Sequence, residues 1–130
     1  MRVDRRAVLA GFLLAALTGP NAYAADRIPF DPAAFQAAQD AGKTIVLQVT
    51  AKWCGSCQRQ RPIVANLLGT PDFSGLIVFD SDYDLHKEAL RKINALHLTT
   101  LIIYQGKTEF LRSSGETSPE KVEAFLRKAI

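Results

Sequence analysis

The spacing of apolar positions changes several times along the chain. Thr44–Thr50 (TIVLQVT) is β-branched and almost continuously apolar, the pattern of a strand buried on both faces. Leu76–Phe79 predicts a second buried strand and Thr99–Tyr104 a third. Gln105-Gly106-Lys107 turns the chain back into Thr108–Leu111, a fourth strand that closes a hairpin. Between these runs the period is helical. Asp31-Pro32 starts a helix, with Asp as cap and Pro at the first position, that runs to about Ala41 and stops at Gly42. Cys57–Leu68 reads as a helix ended by Gly69, Thr70 and Pro71, after a loop over Ala51–Ser56. Leu85, Ala89, Leu90 and Ile93 repeat at helical spacing within 85–95. Ser118-Pro119 opens a last helix with Val122, Phe125, Leu126 and Ile130 on one face. The order α-β-α-β-α-β-β-α predicts an α/β fold, a mixed central sheet with helices on both faces. The strand-loop-helix at 44–68 puts a loop at the C-terminal edge of that sheet, where such folds place chemistry.

Residues 1–24 follow a different rule. Arg2, Arg5 and Arg6 precede the apolar run Ala7–Leu17, then Gly19 and Pro20, then Ala22-Tyr23-Ala24. This is the three-part pattern of a cleaved export signal, and its Arg5-Arg6 pair resembles a twin-arginine signal. The apolar run is short of the roughly 20 residues that span a bilayer as a helix. The competing readings are an uncleaved anchor and a core helix. Cleavage after Ala24 or Ala25 leaves about 105 residues, enough for one core, delivered to an oxidising compartment, most simply a periplasm.

Composition narrows the function. In 130 residues, 48% apolar and 22% charged, the chain has the make-up of one globular domain. Its two cysteines cannot build a disulfide scaffold. Of the net charge of +3, the first 24 residues carry two, so the remainder is nearly neutral and lacks the basic face of a nucleic-acid binder.

The chemistry lies in Trp53-Cys54-Gly55-Ser56-Cys57, a C-x-x-C between a buried strand and a helix. Cys54 falls at the helix's first turn, where unpaired N–H groups and the helix dipole favour a thiolate. Cys57 lies one turn in and is expected to be more buried. Cys54 is therefore the expected nucleophile and Cys57 the residue that resolves the mixed disulfide. Three alternatives stand beside this. A structural disulfide would gain little from so small a ring. A zinc site would need His86 and His97 to join the cysteines. A metal or iron–sulfur site could be shared across a dimer.

These residues resemble the thioredoxin superfamily. W-C-G-S-C after a hydrophobic strand, Pro62 five residues beyond Cys57, the hairpin Thr99–Leu111 and the amphipathic last helix all match, over essentially the whole chain after the signal. The resemblance implies a thioredoxin-like fold with four or five strands and thiol–disulfide exchange on protein substrates, with no cofactor beyond a redox-active Cys54–Cys57 disulfide. With the export signal, it implies a periplasmic reductant recycled by a membrane redox partner. An oxidising, disulfide-forming protein is the alternative, because Gly55-Ser56 matches neither Gly-Pro of cytoplasmic thioredoxins nor Pro-His of strong periplasmic oxidants.

The chain departs from the family in two places. Thr99, within Leu98-Thr99-Thr100, stands where the family keeps a cis-proline beside the sulfurs. A cis bond before a non-proline residue costs about 3–4 kcal/mol, so a trans bond, or a strained cis one held by its surroundings, is expected. Losing that proline raises the metal alternative. Gln48 replaces a buried Asp that serves as proton acceptor for the buried cysteine, and a neutral amide cannot be that base. Water, Lys52 or another group must take the proton. Trp53, Gly55, Ser56, Leu98 and Thr99 are expected to line the substrate groove, with Trp53 as a lid. Lys52 and His97 are candidates for proton transfer, and no metal ligand set is expected. His86 reads as a helix-surface residue. Asp80, Asp82 and Asp84 read as a polar turn capping the following helix.

One prediction concerns the leader. The intact mass of protein recovered from a periplasmic fraction is expected to correspond to a start at Ala25 or Asp26. A full-length mass in the membrane fraction would show an anchor instead.

Overall fold

The run Thr44–Thr50 forms a strand with six of its seven residues buried, and the rest of the molecule is layered around it. A computed structural model describes residues 24–130; the export signal expected over 1–24 falls almost wholly outside them. The elements are β1 (Asp26–Pro29), α1 (Pro32–Asp40), β2 (Thr44–Thr50), α2 (Gly55–Leu68), a 3₁₀ turn (Pro71–Phe73), β3 (Ile77–Asp82), α3 (Tyr83–Lys92), β4 (Thr100–Gln105), β5 (Thr108–Ser114) and α4 (Pro119–Arg127). The five strands are ordered β1-β3-β2-β4-β5. β1 and β2 run parallel to β3, whereas β4 is antiparallel to both β2 and β5.

Successive residues of β2 point to opposite faces, and each face is covered. Ile45, Leu47 and Val49 pack with Phe30, Phe35, Phe79, Leu90, Ile102 and Tyr104. On the other face Val46 packs with Val64, Leu68, Phe73, Val78, Leu101, Ile103, Val122 and Leu126. The result is three layers: α1 and α3, then the sheet, then α2 and α4. Gln48 belongs to the second face and is fully buried there.

Local signals account for most element ends. Asp31 accepts the Ala34 N–H at 2.9 Å and caps α1. Asp82 accepts the Asp84 N–H at 2.9 Å and caps α3. The other two aspartates of that run do different work: Asp80 lies in β3 and pairs with Arg27, and Asp84 accepts a bond from Trp53. Gly106 turns the β4–β5 hairpin at φ +58°, and a Cβ there would stand 3.3 Å from the Gln39 carbonyl. Ser118 occupies the cap position of α4, but its hydroxyl bonds Glu120 rather than a helix N–H.

The structure corrects the sequence reading at several points. β1 was not expected, because Asp-Arg-Ile-Pro has no strand periodicity; it is an exposed edge strand paired only with β3. α2 starts at Gly55, two residues before Cys57, because Cys54 itself supplies the cap. β3 extends to Asp82, and β5 continues to Ser114 past a bulge opposite Ile103/Tyr104. His86 breaks the regular geometry of α3 (φ −123°, ψ 25°) and turns its ring edge-on to Phe30, 5.2 Å away.

Tyr104 generates a prediction. Its phenol is pushed up to about 12 from an ordinary 10.0, chiefly by burial, with Glu109 adding to the shift and Arg112 opposing it. A raised folded-state value contributes stability that is complete below pH 10 and is lost as the pH climbs toward 12. Between pH 9 and 11 the wild type is expected to lose about 1 kcal/mol that Tyr104→Phe does not lose, measured as the change in urea midpoint.

Candidate active site

Both cysteines sit where β2 leaves the sheet and α2 begins. Cys54 is the N-cap of α2: its backbone is extended, and its Sγ accepts the Cys57 N–H at 3.2 Å. Cys54 and Cys57 are joined by a disulfide, with their Cα atoms 5.3 Å apart. Cys54 keeps 7% of its surface exposed and Cys57 none. The cap position fits the difference, since Cys54 stands just before the first turn of α2 and Cys57 lies within that turn, both packed with Ala51. One turn further on, Pro62 lies inside α2 and leaves the Gln58 carbonyl without its usual helical donor.

Thr99 is brought directly against the sulfurs. Its Oγ1 lies 3.3 Å from Cys57 Sγ, 3.5 Å from Cys54 Sγ and 2.6 Å from the Ser56 hydroxyl. Ser56 Oγ is in turn 3.4 Å from Cys54 Sγ. Every peptide bond among the described residues is trans, so Thr99 avoids the cis penalty and carries its strain in φ, at +55°. For a β-branched residue that is an outlier, costing about 1–3 kcal/mol, which persists only where the surroundings hold it. Here the holding contacts are visible. The Thr99 carbonyl accepts the Gly115 N–H at 2.9 Å and Gln60 Nε2 at 3.3 Å. Gln60 Nε2 also bonds the Glu116 carbonyl at 2.9 Å.

Behind this lies a chain of polar side chains within the core. Gln48 Nε2 donates to Gln60 Oε1 at 3.5 Å, and Gln48 Oε1 accepts from Arg27 at 3.4 Å. Arg27 is anchored by both carboxylate oxygens of Asp80, at 2.7 and 2.8 Å. Gln48 is therefore a relay of dipoles between a half-buried ion pair and the loop that carries Thr99.

The other residues expected to line a substrate groove lie at and around the disulfide. Trp53 is 66% exposed, yet its position is fixed: the indole N–H bonds Asp84 at 2.8 Å and the ring stands edge-on to Tyr83 at 6.5 Å. Leu98 and Tyr83 pack against Ala51, Cys54 and Cys57. Gly55 is exposed with open space around its Cα. Lys52 and His97 are exposed, and neither makes a hydrogen bond to a sulfur among the described residues. No group of three or more His, Cys, Asp or Glu that could hold a metal is found among the described residues. Sequence reasoning missed Gln60, Tyr83 and Asp84. Only Asp84 had a signal, as one of three alternating aspartates of which a single cap uses one.

Comparison with known proteins gives a consistent picture. A thioredoxin family model matches residues 27–128. An H-type thioredoxin from Fagopyrum esculentum is 31% identical over 86 residues, covering 66% of this chain and 72% of its own. The crystal structure of Trxlp from Edwardsiella tarda superposes with a TM-score of 0.74 at 37% identity, covering 78% of this chain and 98% of its own. The thioredoxin of Malassezia sympodialis, at 18% identity and a TM-score of 0.71, shares the fold; the alignment covers 82% of this chain and 93% of that one.

The backbone at Thr99 makes a prediction that separates two substitutions. Proline fixes φ near −65° and cannot adopt +55°, so Thr99→Pro is expected to destabilise the oxidised protein by more than about 1 kcal/mol. Thr99→Gly, which meets a positive φ freely, is expected to stay within about 1 kcal/mol of wild type. Guanidinium unfolding of the two variants checks the ranking; a proline variant as stable as wild type would mean the loop does not require the left-handed conformation.

Proposed function

The chain belongs to the thioredoxin family, and on that premise we propose that it is a periplasmic reductant of protein disulfides, with Cys54 as nucleophile and Cys57 as resolving thiol. The family, the fold and the Cys54–Cys57 pair together make it a thiol–disulfide oxidoreductase. The single observation that carries the assignment of roles is the place of Cys54 at the N-cap of α2. There its sulfur faces the Cys57 N–H and the positive end of the helix dipole, the setting that stabilises a thiolate.

In the reduced protein the Cys54 thiolate attacks one sulfur of a substrate disulfide. The substrate's S–S bond breaks, one of its sulfurs leaves as a thiolate and the other stays bound to Cys54. Cys57 then attacks Cys54 Sγ, releases the second substrate sulfur and closes the disulfide seen in the structure. Two electrons have passed to the substrate, and a reductant must return them; for an exported protein that is a membrane redox partner. Trp53, Leu98 and the first residues of α2, Gly55 and Ser56, offer the surface on which the substrate chain lies. The reducing direction is supported by the neutrality of Gly55-Ser56 and by the sulfur contacts among the described residues, which are to Ser56, Thr99 and the Cys57 N–H rather than to a Lys or His and leave the thiolate only modest help. The periplasmic location is supported by the three-part pattern of residues 1–24.

Limiting iodoacetamide on the reduced protein is expected to label Cys54 well before Cys57. Preferential labelling of Cys57 at neutral pH would reverse the roles. Equilibration with glutathione is expected to give a reduction potential below about −230 mV. A value near that of strong oxidants, about −120 mV, would reverse the direction.

A further inference from the structure

Resolution requires the buried Cys57 to lose a proton, and the side chains around it leave few routes. Gln48 is an amide, and its two contacts are to Gln60 and Arg27. The charged groups of the neighbouring elements are engaged elsewhere. Arg61 of α2 bonds Thr50, Arg27 of β1 pairs with Asp80 of β3, and Asp84 of α3 holds the Trp53 indole. The carboxylate of Glu116, beyond β5, accepts the Ser118 N–H, and Lys52 and His97 are exposed without a bond to either sulfur. The polar side-chain atom that does touch Cys57 Sγ is Thr99 Oγ1, at 3.3 Å. From there an unbroken series leads outward: 2.6 Å to Ser56 Oγ, then 3.4 Å to Cys54 Sγ, where a substrate sulfur would be attached. Ser56 is half-buried.

We propose that the Thr99 and Ser56 hydroxyls are catalytic residues that carry the Cys57 proton to the departing substrate sulfur. The proposal rests on Cys54 as the attacked sulfur of the mixed disulfide. The disulfide form shown is the product of the resolving step, so its geometry is the one that step ends in. As the Cys57 sulfur bonds to Cys54 Sγ, the bond from Cys54 to the substrate sulfur breaks, and that sulfur leaves with the electron pair. The Cys57 proton passes to Thr99 Oγ1, the Thr99 hydroxyl proton to Ser56 Oγ, and the Ser56 proton to the leaving sulfur. Both hydroxyls are regenerated, and the products are the Cys54–Cys57 disulfide and a substrate thiol. The strained φ of Thr99 has a purpose in this scheme. Held by Gln60 and Gly115, it keeps one oxygen within reach of both sulfurs and of Ser56.

The test uses reduced full-length mature protein and glutathione disulfide as the probe. Rapid acid quench and mass spectrometry separate the bimolecular attack from the first-order loss of protein-bound glutathione. At pH 7, Thr99→Val, which keeps the shape and branching of threonine, is expected to slow the first-order phase by about 10- to 100-fold. The deficit should shrink as pH rises and hydroxide ionises Cys57 directly. Thr99→Ser is expected to restore the wild-type rate within about 3-fold, a margin well inside the general acid–base effect. Ser56→Ala, in the first turn of α2, tests the outer half of the path without touching the Thr99 backbone, and should show a slowed phase with the same recovery at high pH. A wild-type rate at pH 7 in either hydroxyl deletion, a deficit that high pH does not reduce, or a serine variant as slow as the valine variant would overturn the proposal. Glutathione found on Cys57 instead of Cys54 in the trapped intermediate would overturn the assignment of roles instead, and peptide mapping of that intermediate tells the two failures apart.

Discussion

Burial of β2 on both faces is the constraint from which the active site follows. A strand covered by α1 and α3 on one side and by α2 and α4 on the other has only its ends free. Because β3 runs parallel to β2, the chain must cross from one end of the sheet to the other between them, and α2 makes that crossing. The helix N-terminus is thereby fixed at the C-terminal edge of the sheet. Cys54 caps it because the turn out of β2 is only four residues long, Ala51 to Cys54. The antiparallel pairing of β2 with β4 brings the start of β4 to the same edge, with Val49 opposite Thr100. Thr99 thus arrives beside the sulfurs from a distant part of the chain as a consequence of register.

That register also determines what lies behind the sulfurs. Gln48 pairs with Asp80 on one side and Leu101 on the other, so its side chain enters the layer beneath α2. A carboxylate in that position would be a buried charge facing an arginine. The amide instead divides its bonding between Arg27 and Gln60, and Gln60 extends the chain to the Thr99 and Glu116 carbonyls. Buried polar groups stay only when partnered, and each member here has a partner. The interior network and the strained loop therefore form one mechanical unit running from the edge strand to the disulfide.

The pattern of apolar residues made the sheet legible. β2 was read with its observed bounds because seven consecutive residues carry the signal, and the start of α1 because Asp31-Pro32 states it chemically. β1 was not legible: its pairing depends on β3, and its own four residues are all exposed. At the site, Cys54, Cys57 and the proximity of Thr99 could be anticipated from a contiguous motif and an alignment. The left-handed backbone at Thr99 could not, because nothing in Leu98-Thr99-Thr100 favours it. It is imposed by Gly115 and Gln60, 16 and 39 residues away in sequence. Gln60 itself gives no local sign of its role, since a glutamine inside a helix is usually solvated and its partners are defined only after the sheet has assembled.

Trp53 is the only tryptophan in the chain, and the Asp84 bond holds it next to the redox pair. A disulfide takes an electron from an excited indole more readily than a thiol does. The intrinsic emission of this protein is consequently the signal of a single ring with no competing tryptophan background. A change in the oxidation state of the adjacent cysteines is therefore expected to alter the light the molecule emits, which makes that light an optical gauge of the disulfide.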